Sequence, residues 1–338
     1  MAAAHYNTTV RNKSERHLSQ IFHLRNLNNW VKSVLIGEAN TIISNGVRSK
    51  KAIDVLDFGC GKGGDIGKWL KCEKGIGRYV GVDIAKVSLE DFADRVRENP
   101  KRDKIDRFIC ADMGVDDLDE SELNTYVLAE SAWKKIPRAV NRNSECDKFD
   151  VASCQFAMHY MFQTAERADH FFENLSRHLE IGGSFIATTM DSRVVADAVQ
   201  RQEFGPNRSH DGTMVVLDRN GAENTEPRIG VERKVKVTNE SGKVVMSLDF
   251  DKENWDRLIN FDTNGGEDEY NNSFGIRYEF MLDDGMTSAD GGDSAAVKAP
   301  EWLVPLGRPL EELAKKHDLE VIYCQNFQGF VQSHLRKG

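Results

Sequence analysis

An apolar run, Ile53 to Phe58, breaks into Gly59-Cys60-Gly61-Lys62-Gly63-Gly64-Asp65, with four glycines within six residues. Glycine adopts backbone angles closed to other residues and lets another group approach with no Cβ in the way. Ile66, Trp69 and Leu70 then begin a helical pattern, so the turn opens onto a helix N-terminus. Strand, glycine turn and helix in that order make the nucleotide-binding corner of open α/β sheets. The spacing G-x-G-x-G is neither the dinucleotide fingerprint G-x-G-x-x-G nor a phosphate loop with G-K-[ST]. A glycine-rich surface turn of purely structural origin has the same composition, so the residues downstream must decide.

Arg78 to Val82 is a second short apolar run and ends in Asp83; a third, Phe108-Ile109-Cys110-Ala111, ends in Asp112. Both carboxylates fall at C-terminal strand tips, the edge where ligands of doubly wound sheets bind. Asp83 can accept both ribose hydroxyls of an adenosine there, and Asp112 the exocyclic amine of an adenine. One strand-terminal Asp is more often a turn former or helix cap. Three in order, Asp65, Asp83 and Asp112, each behind an apolar strand signal, point to an adenosine cofactor. The turn itself resembles the first motif of the S-adenosylmethionine-dependent class I methyltransferases.

Strand and helix signals alternate along the chain. The patterns predict strands near 53–58, 78–82, 106–111, 149–154 and 183–189. Helices are predicted near 65–71, 86–98, 118–134 and 164–179, with Gly182-Gly183 stopping the last. Leu18, Ile21, Phe22, Leu24, Leu27, Trp30, Val31, Val34 and Leu35 predict one or two helices over 14–44. Regular alternation implies a mostly parallel, doubly wound α/β sheet. Residues 114–147 read as a solvated crossover. Residues 204–272 read as a polar insertion with a hairpin, Glu232–Val237 and Val244–Leu248 flanking a turn at Glu240-Ser241-Gly242. Thr287 to Ala296 reads as a disordered patch. A strand near 275–282, a helix near 308–317 and a strand from Leu319 to Phe327 follow. The expected organisation is thus a basic helical segment over 1–50, a cofactor-binding core over 51–203, the insertion over 204–272, and a C-terminal part over 273–338.

The 338 residues suffice for one large α/β domain with insertions or for two small domains. The net charge of −9 hides an asymmetry: residues 1–51 hold eight Lys and Arg against two Glu, +6, leaving −15 for the remainder. A basic arm on an acidic body suits an anionic partner docking at one place, although an exposed helix with ordinary lysines gives the same count. The six cysteines (60, 72, 110, 146, 154 and 324) form no C-x-x-C pair and read as buried small side chains in a reducing compartment. No metal site is expected. No apolar run approaches the ~18 residues of a membrane span, so a soluble, intracellular protein is expected, with no membrane partner.

The fourth strand runs into Asp150-Val151-Ala152-Ser153-Cys154-Gln155-Phe156-Ala157-Met158-His159-Tyr160. It has no D/N-P-P-Y/F run for an exocyclic amine acceptor, and Cys154 lacks the preceding proline of a cytosine carbon-five nucleophile. Phe156, His159 and Tyr160 can wall a flat heterocycle by stacking and edge contacts. The alternative is that Phe156 and Tyr160 pack the following helix and His159 is a surface turn residue.

The chain as a whole resembles the eukaryotic messenger RNA cap guanine-N7 methyltransferases. The resemblance rests on His5-Tyr6-Asn7, Ile21-Phe22-His23-Leu24-Arg25-Asn26-Leu27-Asn28-Asn29-Trp30-Val31-Lys32, the glycine turn, and Ser153-Cys154-Gln155-Phe156 with His159-Tyr160. Ala299-Pro300-Glu301-Trp302-Leu303-Val304 and Leu313-Ala314-Lys315-Lys316 extend it to about residue 330. It implies S-adenosyl-L-methionine as cofactor. Lys32 would reach its methionyl carboxylate, Gly59 and Gly61 would admit it, and Asp65 would lie near its amino end. Asp83 would hold the ribose and Asp112 the adenine, with Gln155 and Tyr160 flanking the methionine portion. Asn28, Asn29 and Phe156 would contact the cap, Lys62 would lie near its phosphates, and His159 and Glu301 would grip the guanine.

The resemblance implies 5′-capped RNA as substrate, a nuclear location and a monomer. A capping guanylyltransferase, the RNA polymerase II machinery and an activating subunit are the protein partners it suggests. No acid or base is expected, because guanine N7 carries a lone pair at neutral pH; His159, Tyr160 and Glu301 would act by positioning. Three departures stand out: Thr188-Thr189-Met190-Asp191 where the family has Thr-Thr-Pro-Asn, Leu27 for the Phe before Asn-Asn-Trp, and no counterpart of the family's terminal antiparallel strand. The alternatives left open are a non-catalytic cap- or RNA-binding methyltransferase-like protein, and a class I methyltransferase with a small-molecule acceptor.

Overall fold

A computed structural model describes residues 19–45, 52–73, 75–119, 123–128, 133–136, 147–204, 232–261, 272–287 and 293–335. The His5-Tyr6-Asn7 run, Cys146 and most of the expected insertion lie outside the described residues. In chain order the elements begin with α1 (Phe22–Asn45), β1 (Ile53–Phe58), α2 (Ile66–Trp69), β2 (Ile76–Asp83), α3 (Lys86–Val96) and β3 (Ile105–Cys110). Then come β4 (Asn124–Leu128), β5 (Trp133–Ile136), β6 (Phe149–Gln155), α4 (Ala165–His178), β7 (Leu179–Thr188) and α5 (Ser192–Phe204). The remainder is β8 (Lys234–Thr238), β9 (Val244–Asp249), α6 (Lys252–Ile259), β10 (Arg277–Thr287), β11 (Asp293–Trp302), α7 (Arg308–Lys316) and α8 (Phe327–Leu335).

Two compact units emerge, the first holding described residues from 23–190 and 312–335, the second 19–22 and 191–311. The first is built on a seven-stranded sheet, in the order β5-β4-β3-β2-β1-β6-β7. β3, β2, β1, β6 and β7 run parallel. This is the mostly parallel α/β sheet expected. β6 is buried at all seven positions and β1 at all but Asp54, as central parallel strands covered on both faces must be. Phe58 pairs with Val82 and with Cys154, and Gln155 with Thr188, so the C-terminal ends of four strands finish level at one edge.

α4 follows its sequence signals closely. Thr164 caps it by accepting from the Arg167 N–H at 3.2 Å, and Arg177 and His178 in the last turn favour its negative end. Ala168, Phe171, Phe172 and Leu175 form its buried stripe. The helix ends at His178, and β7 begins at Leu179, four residues before the expected strand start. Gly182-Gly183 therefore lies inside the strand. Gly182 has φ +78°, and a Cβ on Gly183 would stand 2.9 Å from the Asp150 carbonyl oxygen, so the pair carries an irregularity in the β6–β7 register.

The helix expected over 118–134 is not formed. Asn124-Thr125-Tyr126 pairs antiparallel with β3, and β5 pairs antiparallel with β4. β-Branched and aromatic residues beside a free sheet edge favour a ladder over a helix. The strand expected from Leu319 to Phe327 is not formed either: 319–326 has no regular structure, Ile322 is 80% exposed, and α8 starts at Phe327. α8 packs on α1 through Val31, Leu35 and Phe330, with the Trp30 ring edge-on to Phe330.

The second unit contains an antiparallel sheet in the order β11-β10-β9-β8. The expected hairpin is β8–β9, its turn held by Asn239 Oδ1, which accepts from the N–H groups of Ser241 and Lys243. Asp293 to Ala296, read as disordered, belongs to β11 and pairs with β10. Leu248, Phe250, Trp255, Leu258, Ile276 and Tyr278 are buried in this unit. The Gln200 amide caps the end of α6 by donating to the Leu258 and Ile259 carbonyls. Among the described residues no helix is long and apolar enough to cross a membrane.

Candidate functional site

The site is built at the C-terminal edge of the seven-stranded sheet, beginning with the glycine turn. Gly59, Gly61 and Gly63 all have positive φ, and the Gly59 and Cys60 N–H groups both donate to the Val82 carbonyl. The three glycines serve different neighbours. A Cβ on Gly63 would stand 2.4 Å from the Phe92 ring, and one on Gly59 would stand 2.4 Å from the Ala157 Cβ. Gly61 alone of the three has nothing within 4 Å of that position. The missing side chain of Gly59 thus makes room for Ala157, whereas the Cβ position of Gly61 faces open space.

Asp83 ties this opening to β2. Its Oδ2 accepts from the Gly61 N–H and its Oδ1 from the Ala85 N–H, each at 2.8 Å. Burial pushes the carboxyl up, and the two backbone donors oppose that. Asp112, two residues beyond β3, accepts at Oδ1 from Gly114 N–H at 3.1 Å and from Arg167 Nη2 at 2.7 Å.

On the other flank, Asp65 sits between two ammonium groups, Lys32 at 2.9 Å and Lys68 at 2.7 Å. Although it stands at the N-cap position of α2, its side chain makes no capping bond, because the lysines claim it. Lys68 also donates to Asn29 Oδ1 at 3.1 Å. Asn28 Oδ1 is buried and accepts no hydrogen bond among the described residues. Lys62 pairs with Asp91 at 2.7 Å, near the surface.

The β6 tip completes the edge. The Gln155 carbonyl accepts from Thr188 Oγ1 at 3.1 Å, which fixes its amide beside β7. Phe156 follows at φ +57°, a strained angle for a side chain of this size, with its N–H shared between the carbonyl and hydroxyl oxygens of Thr188. Its ring lies 5.8 Å from Lys32 Nζ and edge-on to Phe327 at 6.1 Å. Phe156 thus packs against α8 and Lys32. His159 is buried, not a surface turn residue, and its ring lies 4.2 Å from that of Tyr160. Burial drives the imidazole down to about 3, so it is neutral at physiological pH.

Glu301 lies in the second unit, on β11, and accepts at Oε2 from the Tyr278 hydroxyl of β10 at 2.8 Å. It is 6% exposed, and burial raises its carboxyl to about 7.

Sequence reading missed Asp57, Arg167 and Phe327. Asp57 is buried in β1, two residues before the glycine turn, and Tyr79 donates to it at 2.5 Å. Burial raises it to about 7, with the neighbouring Asp65 adding to the effect. The available signal was a carboxylate inside an otherwise apolar strand. The structure thus brings Lys32 into contact with Asp65 and Phe156, and separately Gly61 with Asp83, while Gln155 and Asp112 stand at or just beyond strand tips of the same edge.

A family model, the mRNA (guanine-N(7))-methyltransferase domain, matches residues 1–240. The chain is 31% identical over 343 residues to mRNA cap guanine-N(7) methyltransferase 1 of Arabidopsis thaliana, spanning 99% of this chain and 69% of that protein. It is 32% identical over 342 residues to the protein of the same name from Oryza sativa, again spanning 99% and 69%. A solved S-adenosylmethionine-dependent methyltransferase from Clostridium acetobutylicum aligns at TM-score 0.47 and 14% identity, covering 92% of this chain and 89% of that one.

Proposed function

The chain belongs to the mRNA cap guanine-N7 methyltransferase family, and from that premise we propose how its residues divide the work. It is an S-adenosylmethionine-dependent methyltransferase whose acceptor is N7 of the 5′ cap guanosine of RNA. When bound, S-adenosylmethionine supplies the methyl group as a substituent of its sulfonium.

The residues present fit this cofactor. Gly61 leaves room beside the turn, and Asp83 and Asp112 offer acceptors at successive strand tips. Asp83 takes the ribose hydroxyls and Asp112 the adenine amine. Lys32 meets the methionyl carboxylate as a point charge, exchanging part of its bond to Asp65 for it, and leaves Asp65 facing the amino end. Gln155 and Tyr160 flank the methionine portion, while Gly59 shapes the turn.

On the acceptor side, Asn28, Asn29, Phe156 and His159 of the first unit hold the cap, and Lys62 lies toward its phosphates. Guanine N7 needs no proton removed, so the protein's contribution is alignment of the acceptor with the methyl carbon. The neutral His159 adds no positive charge beside a purine that becomes cationic. Glu301, once ionised, accepts from guanine N1–H and its exocyclic amine, and favours the charge that develops on the ring. The family role makes the nucleus the expected compartment; the capping guanylyltransferase, the polymerase II machinery and an activating subunit are the partners to test.

The observation that supports this reading best is the bond from Gly61 N–H to Asp83, which joins the open turn to the ribose acceptor. The test is incubation with guanosine-capped RNA and labelled S-adenosylmethionine. N7-methylguanosine is the expected product, with Asp83→Ala and Glu301→Ala both inactive; normal turnover by both variants defeats the assignment.

A further inference from the structure

We propose that Arg167 is the residue that sets base selectivity at the cofactor's purine, acting through Asp112; this rests on the assignment of Asp112 to the adenine amine. Three observations carry it. The Arg167 guanidinium donates Nη2–H to Asp112 Oδ1 at 2.7 Å, and the same oxygen accepts the Gly114 N–H at 3.1 Å. Both donors fall on Oδ1, and neither uses the lone pairs of Oδ2. The backbone of Asp112 is held as well: its N–H donates to Asp116 Oδ2 at 2.7 Å, and its carbonyl accepts from the N–H groups of Val115 and Asp116.

The guanidinium is itself seated. Arg167 lies in the first turn of α4, where its N–H is fixed to the capping Thr164. Its head lies flat against Gly114: a Cβ there would stand 3.0 Å from Nη2 and 3.1 Å from Cζ. Glycine at 114 is what lets the arginine reach the carboxylate.

The chemistry follows from the donor and acceptor pattern. A carboxylate bonded to a guanidinium offers only acceptor lone pairs. Such a group accepts from the 6-amino group of adenine and opposes the 6-oxo group of hypoxanthine. Without Arg167 the carboxylate is held by one backbone N–H and can swing off the base edge. Both the contact to the amine and the penalty against the oxo group then weaken, so selectivity falls more than affinity.

The test is calorimetry on the full chain with S-adenosylhomocysteine and S-inosylhomocysteine. The wild-type protein is expected to prefer the adenine ligand by on the order of tenfold, the factor left by one unmatched, half-buried polar group. In Arg167→Met and in Gly114→Ala the preference should drop to within about twofold, and Arg167→Lys should recover part of it. Circular dichroism confirms that the variants are folded. An Arg167→Met protein that keeps its preference within about twofold of wild type overturns the proposal, as does a wild type that binds both ligands equally. A wild type that binds neither ligand overturns the cofactor assignment as well, and so the two failures are told apart.

Discussion

Tyr278 donates its hydroxyl hydrogen to Glu301 at 2.8 Å across the β10–β11 ladder, and burial nevertheless raises the Glu301 carboxyl to about 7. The hydrogen bond favours the ionised form while desolvation disfavours it, and desolvation is the larger. Glu301 must be ionised to accept two N–H groups from guanine. Cap methylation should therefore rise with pH through about 7. In Tyr278→Phe the acid limb of kcat/KM should move to higher pH, with a several-fold loss at pH 6.5 and a change within about twofold at pH 9. A limb that stays in place would mean that another group controls the rate.

Asp57 gives a stability prediction of defined sign. Its folded pKa, about 7, lies above the ordinary carboxylate value of 3.8, so the folded state holds a proton that the unfolded state has released. The associated stability is present below the unfolded value and is lost as pH rises through about 7. Asp57→Asn keeps an acceptor for Tyr79 and removes the titration. Unfolding free energies from urea titrations of the wild type should fall between pH 5 and pH 8, and those of Asp57→Asn should fall less, a difference of a few kcal/mol at most. Parallel curves would remove Asp57 from the account.

How much of this was legible beforehand depended on how local each signal is. β1, β2, β3 and β6 were readable because strands buried on both faces are continuous apolar runs. Asp83 and Asp112 were readable because each ends such a run. β4 and β5 were not, since Asn124-Thr125-Tyr126 becomes a strand only beside the free edge of β3. α8 carried an overlooked signal: Asn326 Oδ1 accepts from the Gly329 N–H at 2.8 Å, the pattern of an N-cap. Arg167 meets Asp112 across 55 residues of chain, and nothing in either local sequence announces the pair. The division among the glycines was hidden for the same reason, because Ala157 and Phe92 arrive from distant segments.

The glycines separate folding from binding. Gly59→Ala adds a methyl 2.4 Å from Ala157 Cβ at a φ of +65°, whereas Gly61→Ala adds one into open space at +51°. Gly61→Ala should cost the fold only about 1–2 kcal/mol, the left-handed penalty, yet weaken S-adenosylhomocysteine binding by roughly tenfold or more. Gly59→Ala should lower the urea midpoint further, from steric overlap against backbone-borne carbon. Equal midpoints for the two variants would contradict the packing assigned to Ala157.

Phe327 is expected to act on the acceptor side through Phe156. Phe156 holds a left-handed backbone angle that few residues of its size tolerate, so its ring depends on neighbours for its position. Lys32 approaches within 5.8 Å of the ring, and the edge-on Phe327 lies 6.1 Å away. Removing the latter contact in Phe327→Ala should raise KM for capped RNA several-fold while leaving the Kd for S-adenosylhomocysteine within about twofold. Because the two rings touch, Phe156→Ala and Phe327→Ala should combine non-additively in kcat/KM, with a coupling of about 0.5–1.5 kcal/mol. Strict additivity would show that α8 supports the fold without reaching the cap.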